Sequence, residues 1–98
     1  MKVNVVYEGK TAIVAPGEKI DFVTAPEFEK VIEEHTEKAD DIVIDMKDVD
    51  YISSAGLRVI LYADNIMSEK GGLKLRNVCG NVKEVLDISG FSKIVNIE

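Results

Sequence analysis

The chain has 98 residues, with 12 Lys+Arg against 18 Asp+Glu and a formal net charge of −6. This length predicts a single domain, residues 1–98, that buries a core without disulfides or metal. The acidic balance argues against nucleic acid as a partner. No apolar run approaches the roughly 20 residues needed to span a membrane. A lone cysteine and an N-terminus without a signal-peptide pattern predict a cytoplasmic location.

The first predicted element is a β-hairpin. Residues 2–7 and 11–15 are rich in β-forming side chains and flank the short turn Glu8-Gly9-Lys10. Two such runs around a glycine-containing turn are typical of antiparallel strands. Pro16-Gly17 then interrupts the pattern.

A first amphipathic helix is predicted to follow. Thr24 is the expected N-cap, Pro26 suits the first turn, and Glu27 completes a capping-box pattern with Thr24. The apolar face predicted by helical spacing contains Phe28, Val31, Ile32 and His35.

Alternating strands and helices are predicted for the rest of the chain. Residues 42–46 are nearly all apolar, as in a strand buried on both faces, and residues 47–52 are interpreted as a connection. A second helix, entered at Ser53-Ser54, is predicted to end at Gly71-Gly72. Its apolar face contains Leu57, Ile60, Leu61 and Met67.

The last predicted unit is strand, helix and strand. Residues 73–77 form the first strand, Asn81 is the expected cap of a short helix ending at Gly90, and residues 94–97 form the second strand. The predicted order is therefore ββαβαβαβ. This is an α/β fold whose mixed sheet has an N-terminal hairpin followed by parallel strands with right-handed crossovers.

Motifs for catalysis, metals and cofactors are missing from the sequence. It has neither a Walker-type nor a GxGxxG phosphate loop, and no GxSxG elbow. The lone His35 and Cys79 cannot form a usual zinc site, and both are interpreted as packing residues. We therefore expect no enzyme activity, catalytic residue, metal or cofactor. A phosphoacceptor aspartate at Asp45 or Asp48 is disfavoured, because no surrounding cluster of acidic residues and lysine is evident.

Ser53 and Ser54 stand where a loop meets the start of a helix. One interpretation is helix capping by a serine hydroxyl. Another is phosphorylation, since a phosphate there would meet unpaired N–H groups and the positive end of the helix dipole. The two are compatible. Ala55 and Gly56 would keep the surface small enough for another molecule to approach.

The stretch YISSAGL at residues 51–57 resembles the signature of the STAS domain, in its bacterial anti-sigma-factor antagonist branch. IDFVTA at residues 20–25 resembles the segment before the family's first helix. Residues 71–75, 82–86 and 89–91 resemble its closing strand–helix–strand unit. The resemblance covers nearly the whole chain, in order and with comparable spacing.

The resemblance implies a single-domain STAS fold and a binding switch that is not itself an enzyme. Such an antagonist binds an anti-sigma factor that is also a serine kinase, and this frees the sigma factor. Phosphorylation by the kinase ends the binding, and a serine phosphatase restores it. The alternative function is a phosphorylation-independent STAS scaffold module in a larger signalling assembly.

By position the phosphoacceptor corresponds to Ser54, with Ser53 as the alternative. The sequence departs from the family pattern in having Ser53 where many members carry aspartate and Glu18 where they carry glycine. It also ends at Glu98, without the last helix that many members have. The expected partner-binding residues are Asp21, Thr24, Asp50, Ser53, Ser54, Ala55, Gly56 and Arg58.

Overall fold

A computed structural model describes residues 1–78 and 80–98, so the packing predicted for Cys79 lies outside the described residues. Its strands are β1 Val3–Glu8, β2 Thr11–Pro16, β3 Glu18–Ile20, β4 Asp41–Asp45, β5 Val49–Ile52, β6 Leu73–Arg76 and β7 Asn96–Ile97. Its helices are α1 Ala25–Lys38, α2 Ser54–Met67 and α3 Gly80–Ile88, with a short 3-10 turn at Phe91–Lys93.

The main sheet has five strands in the order β1-β2-β4-β6-β7. β1 and β2 form the predicted antiparallel hairpin, closed by Glu8 opposite Thr11, and Gly9 in its turn has φ 64°. β2, β4, β6 and β7 pair in parallel. The predicted α/β fold with a mixed sheet is thus confirmed.

A second, two-stranded sheet joins β3 to β5 in parallel, with Ile20 opposite Ile52. The sequence predicted no strand at residues 18–20, where the structure has β3. It predicted only a connection at residues 47–52, which is wrong because Val49–Ile52 is strand β5. Such short strands carry too little alternation to be read locally, and their pairing depends on residues far apart in the chain. This small sheet positions the candidate site.

The core lies between one face of the main sheet and the helices. From β4 and β6 it takes Ile44 and Leu75, both fully buried. The helices contribute Phe28, Ile32, Ile60, Met67, Val82 and Leu86. His35, on the predicted apolar face of α1, is half-buried at the edge of this layer, with its Nδ1 2.7 Å from the Tyr7 hydroxyl.

Thr24 is confirmed as the N-cap residue of α1, with Pro26 in the first turn, but the predicted capping bonds are absent and the predicted cap of α3 is wrong. Thr24 occupies the N-cap position of α1, but its side chain makes no capping hydrogen bond. Glu27 does not complete a capping box, because its carboxylate accepts a 2.6 Å bond from the Met1 amine. α3 begins at Gly80, whose φ of 59° turns the chain into the helix, so Asn81 lies inside the first turn.

Ile44→Ala should lower the free energy of unfolding by about 2–5 kcal/mol, because it leaves a cavity in the central strand of a packed core. Urea unfolding followed by circular dichroism measures this. The matched control is Ile88→Ala on α3, where the side chain is 84% exposed. That variant should stay within about 0.5 kcal/mol of the parent protein. Equal losses in both variants would contradict the assigned core.

Candidate functional site

The loop between β3 and α1 is fixed by Asp21 and Thr24. Asp21 Oδ1 accepts hydrogen bonds from the backbone N–H groups of Val23 at 2.9 Å and Thr24 at 3.0 Å. Thr24 Oγ1 accepts from the Asp21 N–H at 2.9 Å and donates to the Lys19 carbonyl, also at 2.9 Å. Both side chains therefore shape the turn into α1.

The Asp21 carboxylate is held in its charged form by this turn. The bond from the Thr24 backbone N–H lowers the pKa of Asp21 below its ordinary value of 3.8. Desolvation opposes this shift, while the Val23 N–H and the Thr24 hydroxyl add to it. A fixed negative charge therefore stands at the start of α1.

The N-terminus of α2 is joined to the same loop through the small sheet. Ser53 N–H donates to the Ile20 carbonyl at 2.8 Å, directly before Asp21 in the chain. Ser53 is also the N-cap of α2, with its hydroxyl accepting from the Gly56 N–H at 3.5 Å. Its carbonyl accepts from Leu57 N–H at 3.0 Å.

The two serines consequently have different environments. Ser53 is 7% exposed and faces its own helix, which is the capping role. Ser54 is the first helical residue and is exposed. The hydroxyl that another protein can reach is therefore that of Ser54.

Gly56 lets α2 lie very close to β3. A Cβ atom there would be 2.6 Å from Ile20 Cγ2, 2.8 Å from Ile52 Cγ1 and 3.1 Å from the Ile20 carbonyl oxygen. Gly56 is itself buried, whereas Ala55 is half-buried. The expectation that Gly56 opens the surface to a partner is therefore corrected, since its missing side chain serves internal packing.

An apolar surface that reaches Ala55, the residue after Ser54, was missed by the sequence analysis. Phe22 is 69% exposed and Val23 is 80% exposed in the loop before α1. A groove between the starts of α1 and α2 is lined by Phe22, Ala25, Pro26, Glu29, Ala55, Arg58 and Val59. Two large apolar residues inside a turn segment, where polar residues are usual, were the available signal.

Asp50 lines a different cleft. Its neighbours there are Lys47, Asp48, Val49, Gly80 and Asn81. Of the expected partner-binding residues, Ala55 and Arg58 therefore line the groove between α1 and α2. Asp50 lies instead in the cleft at the start of α3.

Asp45 ties the ends of two strands together. It is 4% exposed and accepts hydrogen bonds from Lys47 N–H at 3.1 Å, Asn77 Nδ2 at 3.0 Å and Arg76 at 3.4 Å. Burial alone would raise the pKa of Asp45, but these bonds and the Arg76 charge lower it overall. The Asp45 carboxylate is therefore buried and occupied by hydrogen bonds within the fold. This environment gives no support to Asp45 as a phosphoacceptor.

Residues 1–78 and 80–98 contain neither a membrane-spanning helix nor a cluster of metal ligands. No helix in that part of the chain is long and apolar enough to cross a membrane. No group of three His, Cys, Asp or Glu side chains there is placed to hold a metal ion.

The mixed sheet, the small β3–β5 sheet and the serine at the start of α2 define the class of protein. Residues 2–98 match the family model of the STAS domain, and the chain belongs to that family. This confirms the resemblance carried by residues 20–25 and 51–57.

Particular relatives agree with this assignment. The anti-sigma-B factor antagonist of Bacillus subtilis (strain 168) is 32% identical over 80 residues, which are 81% of this chain and 73% of the relative. A crystal structure of an anti-sigma factor antagonist from Mycobacterium paratuberculosis matches with a TM-score of 0.90 at 21% identity, over 98% of this chain and 83% of the other. The Bacillus cell fate determinant SpoIIAA in its phosphorylated form matches with a TM-score of 0.75 at 13% identity, over 99% and 91%. At these identities the two structures show a shared fold.

Gly56→Ala should destabilise the protein by about 1–3 kcal/mol, because the new methyl group would overlap Ile20 and Ile52. Chemical unfolding measures the loss. Gly17→Ala is the matched control, since its Cβ would lie at an ordinary 3.4 Å from the nearest atom, the Lys2 carbonyl oxygen. An unchanged stability for Gly56→Ala would show that α2 does not pack this closely on β3.

The lowered pKa of Asp21 predicts a pH-dependent contribution to stability. The charged carboxylate stabilises the fold above its unfolded pKa near 3.8, and the contribution disappears as pH falls through the lower folded value. Asp21→Asn should therefore unfold more easily near neutral pH, and its deficit should shrink on acidification.

Unfolding curves taken at steps between about pH 7 and pH 2 measure that deficit. Asp50→Asn, an exposed aspartate on β5, controls for removal of one negative charge without loss of the turn. A deficit for Asp21→Asn that stayed constant with pH would contradict a charge-dependent turn.

Proposed function

We propose that this protein is an anti-sigma-factor antagonist whose binding is switched off by phosphorylation of Ser54. It binds an anti-sigma factor that has serine kinase activity, and this frees the sigma factor for transcription in the cytoplasm. A serine phosphatase reverses the modification. The observation that carries the proposal is the exposed Ser54 hydroxyl at the first position of α2. The names of the relatives support the same role.

Ser54 is preferred to Ser53 because of access. A kinase must reach the hydroxyl with its own active site, and Ser53 is 7% exposed. Modification of Ser53 would also place a bulky phosphate on the buried hydroxyl that caps α2 at Gly56 N–H. Ser54 can accept a phosphate while that cap stays in place.

The fold can accept the added charge. A phosphate brings about −1.5 to −2 charges at neutral pH. The first turn of α2 contains no acidic residue, and its free N–H groups and dipole favour a negative group. Phosphorylation therefore needs no refolding of this domain, and its effect falls on the surface that meets the partner.

That surface has an apolar centre. Phe22 and Val23 would be covered by the partner, because large exposed apolar side chains are the usual anchors of an interface. Glu29 and Arg58 lie along the adjoining groove and supply charge at its rim. Asp21, Thr24 and Ala55 hold or flank the same segments, so we place them in the partner-binding region.

A phosphate beside an apolar contact surface weakens binding in two ways. It must lose water when the partner covers it, and it repels negative groups such as the phosphates of a kinase-bound nucleotide. A loss of about 3 kcal/mol corresponds to roughly a hundredfold weaker binding. In this cycle the protein is ligand and substrate, and the catalytic groups belong to the kinase and the phosphatase.

Phosphate should appear on Ser54 when the protein is incubated with ATP and an extract of its source organism. Trypsin cleavage after Lys47 and Arg58 releases residues 48–58, which contain both candidate serines. Phosphorylation adds about 80 Da to this peptide, and fragment ions separate the two sites. Ser54→Ala should abolish the modification. Phosphate on Ser53 would move the site, and an unmodified peptide in an extract that phosphorylates a known antagonist would favour the scaffold alternative.

The affinity for the anti-sigma factor should depend on whether residue 54 carries a negative charge. The anti-sigma factor is first recovered from the same extract by its binding to the unmodified protein. Ser54→Ala should bind it like the parent protein, whereas Ser54→Asp should weaken the affinity by up to roughly a hundredfold. Titration by isothermal calorimetry with the recovered kinase measures both. Ser68→Asp, an exposed serine at the other end of α2, is the matched control and should bind like the parent. Equal affinity for Ser54→Asp and the parent protein would contradict the switch.

A further inference from the structure

β1 is the long open edge of the main sheet. The sheet order leaves one edge at β1 and the other at β7. β7 has two residues, whereas β1 has six. Natural edges are usually blunted by shortness, proline or inward charges. β1 has the sequence VNVVYE, with no proline and its charge only at one end.

The hydrogen-bonding groups of alternate β1 residues face outward. The Lys2 carbonyl accepts a hydrogen bond from the Gly17 N–H at 3.0 Å. The backbone N–H and carbonyl groups of Lys2 therefore point toward β2. In an antiparallel pair this direction alternates along the strand. The N–H and carbonyl groups of Val3, Val5 and Tyr7 therefore point away from β2, where a further strand could pair.

We propose that two copies of this chain associate through antiparallel pairing of their β1 strands, with Val5 opposite Val5 of the second copy. This register places Val3 opposite Tyr7 of the other copy, so the outward groups of all three residues pair. The two main sheets then form one continuous sheet. The inference rests on β1 and does not depend on the proposed function.

Charge favours this register, which pairs Lys2 with Glu8, over two alternatives that bring like charges together. With Val5 at the two-fold axis, Lys2 lies opposite Glu8 of the second copy, and the same pair recurs at the other end. With Val6 at the axis, Lys2 would oppose Lys10. With Glu8 at the axis, two carboxylates would meet. Opposite charges across strands are favourable and like charges are not.

The pairing also covers apolar surface that the single chain leaves exposed. Val6 is 58% exposed and Tyr7 is 40% exposed. Tyr7 opposite Val3 is an aromatic–β-branched pair of the kind that stabilises adjacent strands. A six-residue strand pair is smaller than a standard interface, so we expect a concentration-dependent equilibrium between monomer and dimer.

Charge reversal tests the register. Lys2→Glu and Glu8→Lys should each weaken the dimer by about tenfold or more, because each turns two attractive pairs into repulsive ones. The double variant Lys2→Glu/Glu8→Lys restores opposite charges and should restore the dimer. Sedimentation equilibrium from about 1 µM to 1 mM measures the dimer dissociation constants of the parent and the three variants. A monomer throughout this range, or a double variant no better than the singles, overturns the proposal.

Cross-linking gives an independent test. In a Cys79→Ser background, Val5→Cys should form a disulfide-linked dimer with diamide, which takes up the two thiol hydrogens. The paired Cα atoms would be about 5.5 Å apart, within disulfide reach. Tyr7→Cys is the control, because its two copies would lie roughly 13 Å apart, four residues along the strand. Cross-linking of Tyr7→Cys in preference to Val5→Cys would overturn the register.

Discussion

The close contact between α2 and the small β3–β5 sheet is the constraint on which the rest of the site depends. Gly56 allows it, because any side chain there would overlap Ile20 and Ile52. Ser53 N–H then bonds the Ile20 carbonyl, and the loop carrying Asp21 begins at the next residue. Two segments about 30 residues apart in the chain thus meet at one surface. Without this contact, the start of α2 and the Phe22–Val23 loop would have no fixed relation.

In the proposed cycle, the neighbouring serines divide two tasks that would conflict in one residue. A capping hydroxyl has to face its own helix, whereas a phosphoacceptor has to face a kinase. Ser53 does the first, and its burial keeps α2 intact whether or not Ser54 carries a phosphate. Where aspartate occupies the position of Ser53, as in many members of the family, the carboxylate can cap in the same way. The departure at Ser53 therefore preserves the physical role of the position.

The main sheet, the helices and the place of the two serines could be predicted because they follow local patterns. The apolar run at residues 42–46 and the helical spacing around Phe28 required no tertiary information. The β3–β5 pairing could not be predicted in this way, since it depends on strands brought together by the whole fold. The same holds for Thr24 and Glu27, whose capping pattern is overridden by contacts to Lys19 and Met1. Phe22 and Val23 in a turn were a signal in the sequence, but the groove next to them depends on how the fold places α1 against α2.

Phosphorylation of one serine, as proposed, would act next to a carboxylate, that of Asp21, whose position and charge are already fixed by the fold. Asp21 is held ionised by the turn it builds, so a negative charge is present near the partner surface before any modification. In the proposed cycle a partner would have to tolerate that one charge, and it can do so with a single donor or with water. A phosphate adds a further charge of about −1.5 to −2 at a helix end that packs closely on β3 at Gly56. In the proposed cycle, this close packing holds the phosphate at the partner surface, so a small covalent change would cause a large loss of affinity.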